Sequence, residues 1–518
     1  MRGVRLILLA TAFLVFAVTP LPATAQFPGE LRVGLPDIPV PPDPATALEG
    51  PAPLIGRHVF ETLVQYQEGG SDIEPHLATR WRVSRDGLTW TFTLRTGVRF
   101  HDGTPLTAPL VVESFERHIL QGPSYPDPNE VWPRLLRGLP GVIKGVRAPD
   151  PQTVEIQLVL PYAPVLAALA HPGLSVVRVM TADDGTIRWQ GTGPYRLAEI
   201  SPGRIVLDSH PGYWGAPPQM RRITFVEVGS EEQARADLDA GRLDIWIPSR
   251  PPRRKKGALW LPGWTVGVLA IQTEREPLSR KGVRQAIAAA LDPSLIGLAV
   301  GPAATPLQSF LPPGVWGRRE GPPIMTADAE GARRLLVAAG LPQGIKPTLL
   351  IREGSGAIDE LRLAEAMRLA LDPAGIALQI RSELPQTVGH LARFGEHELV
   401  VSEAQVLGGD PHLFLYPLSS TEGAVRGPEA MNFSFYRNSL LDSALIRASQ
   451  LGFRRERLRL YRRAQRVLAE ELPWIPLYVR LHWAVGRPAV QNFRLHPSGI
   501  HRLEQVWFEG SRGGVPFH

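Results

Sequence analysis

The sequence predicts an α/β protein of two lobes between which the chain passes twice. Three observations carry this expectation. Alternating apolar residues mark strands through the first half, up to about residue 270. Beyond Gln272 the apolar residues step by three and four, the spacing of amphipathic helices. Strand character returns after Pro473, from Ile475 to Val485 and onward to Phe508. A chain that changes texture near 270 and changes back near 475 is expected to leave one lobe and later re-enter it. No internal repeat is visible.

The clearest strand is Thr89 to Arg95, with Trp90, Phe92 and Leu94 on one face. Asp86-Gly87 before it and His101-Asp102-Gly103 after it are turn signals, because Gly accepts positive φ. Val154, Ile156 and Leu158 repeat the alternation after the turn at Pro149 to Pro151. Further strands are expected at Arg204 to Asp208 and, as a buried one, at Ile223 to Val228. Among the helices, Val283, Ile287, Ala290 and Leu291 share a face, and Leu335, Leu336 and Ala339 precede a Gly340 stop. The longest helix is expected from Arg454 to Glu471, with Pro473 closing it.

Residues 1–25 precede these elements and read as a secretory leader. Arg2 and Arg5 are its positive end, Leu6 to Val18 its apolar stretch, and Ala23-Thr24-Ala25 its cleavage site before Gln26. About 13 apolar residues fall short of the roughly 20 that span a bilayer as a helix. Cysteine is absent, which excludes disulfides, thiolate metal ligands, thiol nucleophiles and a lipid carried on an N-terminal Cys. An exported protein without that lipid is expected in a periplasm closed by an outer membrane.

The apolar fraction of 44% and charged fraction of 20% are those of a globular protein, and 52 Pro and 50 Gly imply many turns. Formal charge is only +6, two of it carried by Arg2 and Arg5. The densest basic run, Arg250 to Lys256, has the charge to hold nucleic acid or an anionic surface, but it contains two prolines and no aromatic, so it reads as a solvated loop and no nucleic-acid partner is expected.

Enzyme motifs are missing from the sequence. It contains no Gly-x-Ser-x-Gly elbow, no phosphate loop, no Gly-x-Gly-x-x-Gly and no His-Glu-x-x-His. Gly395-Glu396-His397-Glu398 lacks a second ligand at Val401. His101-Asp102-Gly103 and Asp410-Pro411-His412 each pair a His with an Asp, but both stand in turn contexts where Asp caps backbone N–H groups. No catalytic residue, metal or cofactor is expected. An exported hydrolase, and a folding helper that works without an importer, remain the rival classes.

Several blocks then occur in one order and spacing: Pro75–Trp81 (PHLATRW), Ser84–Arg95 (SRDGLTWTFTLR) and Gly97–Ala108 (GVRFHDGTPLTA). Gly191–Tyr195, Tyr213–Gly215, Gly241–Asp244 and Val283–Asp292 follow, then Asn432–Tyr436, Asp442, Leu460–Gln465 and Pro473–Leu477. In these blocks the chain resembles the family 5 extracellular solute-binding proteins, receptors that deliver peptides, nickel complexes and other solutes to ATP-binding-cassette importers. The resemblance implies a two-lobed periplasmic-binding-protein fold of the class II, cluster C type, with an extra domain inserted in the N-terminal lobe. The expected division is an N-terminal lobe over 26–270 (the inserted domain within about 55–185), a C-terminal lobe over 271–475, and a return over 476–518. It further implies a monomer that captures its ligand between the lobes, closes, and docks on permease subunits.

For the ligand, the resemblance points to Glu403 to His412. In peptide-binding relatives an Asp three residues before the Asp-Pro pair grips the ligand's α-ammonium, with an aromatic two residues earlier; here those positions are Leu407 and Gln405. Gly408 and Gly409 would admit close approach of a ligand. Asp410 is a substitute carboxylate or a structural cap, while His412 and Trp132 look like the nickel-binding branch, Trp132 reading equally as a core residue. The expected ligand is a peptide or peptide-like solute, with nickel or another metal chelate as the alternative.

Overall fold

The computed structural model describes residues 29–40, 43–119, 131–136, 142–181, 185, 187–354 and 356–509. The expected leader, 1–25, lies outside them.

An eleven-stranded mixed sheet runs through the molecule. From one edge its order is Tyr195–Ser201, Arg204–Ser209, Arg222–Glu227, Glu30–Leu35, Ile245–Trp246, Trp474–Gly486, Ala258–Ile271, Leu399–Gln405, Thr348–Arg352 and Gln379–Glu383; Ala304–Pro306 adds to Trp474–Gly486. Glu30–Leu35 lies parallel between Arg222–Glu227 and Ile245–Trp246, and its Leu31, Val33 and Leu35 are buried. Arg222–Glu227 buries Ile223, Thr224 and Phe225 in succession, as a strand covered on both faces must.

A second, four-stranded antiparallel sheet is ordered Ala78–Val83, Thr89–Leu94, Thr153–Leu158, Ile143–Asp150. Here the predicted alternation holds: Trp90, Phe92, Leu94, Val154, Ile156 and Leu158 are buried while the residues between them are half-exposed.

The predicted helices form at Lys281–Ala290, Ala329–Ala338 and Arg454–Glu471. Each buries the face that the spacing indicates, and the stops have local causes. Gly340 takes φ +79°, and Leu472, forced out of the helix before Pro473, takes φ +45°. The segment after Gln272 is not purely helical, however. Thr348–Arg352, Gln379–Glu383 and Leu399–Gln405 are strands of the large sheet, parallel to one another, and Leu349 to Ile351 and Leu399 to Val401 are buried runs without alternation.

Three large apolar cores result. One gathers residues from Trp264 to Val479 around the helices. Another lies beneath the four-stranded sheet, and a third wraps the edge of the large sheet from Leu31 to Val506. The core under the four-stranded sheet takes its buried residues from Ala45 to Val176, with two exceptions: Leu407 and Leu413.

Candidate functional site

Two long strands carry the chain from one part of the large sheet to the other. Ala258–Ile271 and Trp474–Gly486 pair antiparallel along most of their length, with register shifts between Pro262 and Val266 and between Gly267 and Val268. Trp474–Gly486 meets Ile245–Trp246 at its C-terminal end, and Ala258–Ile271 meets Leu399–Gln405 from Thr265 onward. Glycine is required within the break. A Cβ at Gly267 would stand 2.1 Å from the Tyr478 ring, and one at Gly263 2.6 Å from His482.

Trp264 sits inside this break, 2% exposed, with its backbone N–H donating to the Pro497 carbonyl and its own carbonyl accepting from Val406 N–H at 2.9 Å. The second bond anchors the turn that follows Leu399–Gln405. In that turn Gly408 and Gly409 both lie in the left-handed region, φ +62° and +63°. The space above them is filled by the protein itself. A Cβ on Gly408 would meet the Ala167 carbonyl at 2.9 Å, and one on Gly409 would meet Ser71 Cβ at 2.3 Å and the Trp264 ring at 3.0 Å. Leu407 is buried in the core under the four-stranded sheet. The turn is therefore a seam, where a segment beyond residue 400 closes on the Ser71 loop and the Val165–Leu169 helix.

Polar contacts stitch the same seam. The Glu49 carboxylate accepts from Thr265 Oγ1 at 3.2 Å and from Gln405 Nε2 at 3.3 Å. Arg454 pairs with Asp72 at 2.5 Å, and Arg134 Nη2 lies 3.5 Å from Met431 Sδ. Tyr66 donates to the Ala167 carbonyl at 2.9 Å and packs edge-on against Trp264. Burial, then the Asp410 charge, pushes the Tyr66 hydroxyl well above the usual phenol range, so it stays a donor. The indole N–H of Trp264 is buried without an acceptor among the described residues.

Asp410 and His412 turn away from the seam. Arg457 Nη2 donates to both Asp410 oxygens, at 2.8 and 2.7 Å, and Asp410 also accepts from His412 N–H at 2.9 Å. Burial alone would lower the Arg457 pKa, but the Asp410 carboxylate and the Tyr461 hydroxyl outweigh it and hold the guanidinium above its ordinary value. The His412 ring stacks on Tyr416 at 4.8 Å and meets Tyr162 edge-on at 5.5 Å. Trp132 is buried in the core under the four-stranded sheet, its indole N–H donating to Gly173 O at 3.0 Å and its ring stacked on His118 at 4.8 Å.

Of the residues singled out in the sequence, Gln405, Leu407, Gly408 and Gly409 are thus brought together in the seam. Glu49, Ser71, Ala167, Trp264 and Thr265 complete it. None of these five carries a motif, and only the glycine pair signalled that another backbone would come close.

Beside the seam, against Tyr66 and His496, is a cavity of about 30 Å³ lined also by Arg57, His76, Ser498 and Arg502. It has room for about two waters. Burial, with Arg57 and Arg502 nearby, pushes the His496 pKa down to about 4, so its ring is neutral.

Comparison with known proteins agrees with this architecture. Residues 72–425 match the family described as bacterial extracellular solute-binding proteins, family 5, middle region. The chain is 29% identical to heme-binding protein A of Haemophilus influenzae over 503 residues, covering 90% of each protein. It is 28% identical to the dipeptide-binding protein of Escherichia coli over 485 residues, 87% of this chain and 89% of that one. Among solved structures, the periplasmic binding protein DppA from Helicobacter pylori in complex with the peptide STSA superposes with a TM-score of 0.73 at 25% identity, covering 93% of this chain and 98% of that one. By sequence and by its two-lobed α/β fold, this chain belongs to the family 5 bacterial extracellular solute-binding proteins.

Proposed function

We propose that the protein is the periplasmic substrate-binding subunit of an ATP-binding-cassette importer, and that it captures a peptide or peptide-like solute and passes it to a membrane permease. In this reading the lobes are 26–270 and 271–475, with 476–518 returning to the first, and the hinge lies at the register break of the two long strands. The observation that carries the proposal is the seam. Side chains far apart in sequence, Glu49 with Thr265 and Gln405, meet there beside that break. A solute that contacts both sides stabilises the closed arrangement by binding it better than the open one.

The kinds of group in the seam favour a ligand with amide or carboxylate acceptors. A buried N–H without an acceptor costs about 1–3 kcal/mol, and a carbonyl delivered to Trp264 would remove that cost. Leu407 offers no charge, Asp410 is held by Arg457 and Asp72 by Arg454, which leaves Glu49, without a cationic partner among the described residues, as the seam carboxylate for a ligand amine. The names of the relatives, dipeptide-binding and peptide-complexed among them, support the peptide class.

The test is native mass spectrometry of the mature protein purified from its own periplasm, followed by release and identification of what it carries. Short peptides or peptide-like amides are expected. A metal chelate as the sole cargo would move the protein to the alternative class. Turnover of chromogenic esters, peptides or glycosides would sink the binding reading.

A further inference from the structure

We infer that the exposed Leu259–Trp260 edge and the cationic loop before it dock this protein on the surface of an anionic lipid bilayer. These residues lie outside the seam, so the inference is independent of the ligand reading.

The basic run that reads in sequence as a loop without aromatics acquires them in the fold. Gly257, at φ +71°, turns the loop directly into the Ala258–Ile271 strand. Trp260 there is 59% exposed and Leu259 46%. Trp260 stands in register opposite Trp483, ring centroids 6.3 Å apart, and the Lys255 ammonium lies 5.9 Å from the Trp483 ring. The strand is an edge at this point. It pairs with Trp474–Gly486 on one side, while its other neighbour, Leu399–Gln405, joins it only from Thr265 onward.

Arg253, Arg254, Lys255 and Lys256 are exposed in the loop that leads into this strand. Glu232 lies 3.3 Å from Arg253, and Glu231 pairs with Arg235 and accepts the N–H groups of Arg253 and Arg254. Among the described residues no carboxylate lies within ion-pair distance of the side chains of Arg254, Lys255 or Lys256. Charges and a proline beside a strand edge are ordinary protection against strand addition, and Pro262 with these cations serves that purpose. Protection does not require a tryptophan left mostly in water. A mostly exposed indole on a strand edge that continues a run of cations does match a bilayer surface: the amphipathic ring settles at headgroup depth while Lys and Arg meet anionic phosphates.

The experiment is cosedimentation of the mature protein with vesicles of phosphatidylethanolamine and phosphatidylglycerol, compared with vesicles of phosphatidylcholine alone. Binding to the anionic vesicles only, reversed by about 0.5 M salt, is expected. The triple variant Arg254→Ala/Lys255→Ala/Lys256→Ala should bind at least tenfold more weakly, since one cation contributes about fivefold at low salt. Trp260→Ser should also weaken binding and remove the blue shift of tryptophan emission on vesicles. Arg462→Ala/Arg463→Ala, exposed cations on the Arg454–Glu471 helix, should leave binding unchanged. Circular dichroism confirms that each variant is folded. Equal binding to both kinds of vesicle overturns the inference, as does an equal loss in the Arg462/Arg463 variant, or capture by an acidic envelope protein with none by protein-free vesicles.

Discussion

Asp410 accepts two bonds from Arg457 Nη2 in a site where both side chains are buried, so its removal acts on the fold before it acts on any ligand. Asp410→Ala leaves a buried guanidinium without its counter-charge, at a cost of about 3–5 kcal/mol. The midpoint of urea denaturation should fall accordingly, and an unchanged midpoint would show that the pair is not structural. Glu49 presents the opposite case. It is exposed and, among the described residues, its carboxylate is bonded only across the seam, so Glu49→Gln should leave the denaturation midpoint unmoved. The same variant should weaken binding of an amine-bearing cargo at least tenfold by titration calorimetry; equal affinity would remove Glu49 from the site. Gly409→Ala adds a methyl 2.3 Å from Ser71 Cβ at a positive φ, so it opposes closure directly. Cargo affinity should fall by tenfold or more, and a variant that binds as the parent does would mean that the seam stays open when the ligand is bound.

At the level of elements, the proposed hinge rests on the two long strands. Their register break is kept by glycines whose side-chain space is already taken, Gly267 by Tyr478 above all. Gly267→Ala should therefore destabilise the fold by about 1–3 kcal/mol through overpacking, read as a lowered thermal midpoint. The amphipathic elements were legible in the sequence because one face alone is buried: Thr89–Leu94, Thr153–Leu158 and the helices Lys281–Ala290, Ala329–Ala338 and Arg454–Glu471 lie where their spacing places them. Leu399–Gln405 and Thr348–Arg352 were not, since a parallel strand covered on both faces loses its alternation and reads like part of a buried helix. The site divides in the same way. Leu407, Gly408 and Gly409 stand out within one short segment, whereas Ser71, Ala167 and Trp264 come to it only through the tertiary fold and carry no local mark of doing so.

Across the whole molecule, buried imidazoles link stability to pH. His58, His171, His482 and His496 are each pushed down to about 4, burial being the main cause in every case. Each spends its ring nitrogens on the fold: His58 Nε2 accepts from Leu503 N–H, while His171 bonds the Leu48 carbonyl and His482 the Pro497 carbonyl. In the unfolded chain these rings titrate near 6.5, so between about pH 6.5 and 4 the unfolded state holds more protons than the native one. Stability is then fully present above about 6.5 and is lost as the pH falls toward 4, by roughly 1–3 kcal/mol per ring. Glu61 and Glu504 continue the trend at lower pH. Burial would raise their pKa values, but the nearby charges, His76 at Glu61 and Arg57 at Glu504, outweigh it and hold them below the usual carboxylate range. Urea denaturation followed from pH 7.5 to 4.5 should show a midpoint that declines steadily below 6.5. Replacing His482, whose neighbours include His501 and Arg480, by Gln should flatten that decline; a parent protein equally stable at pH 7 and 5 would mean that these rings titrate in the native state as they do in the unfolded chain.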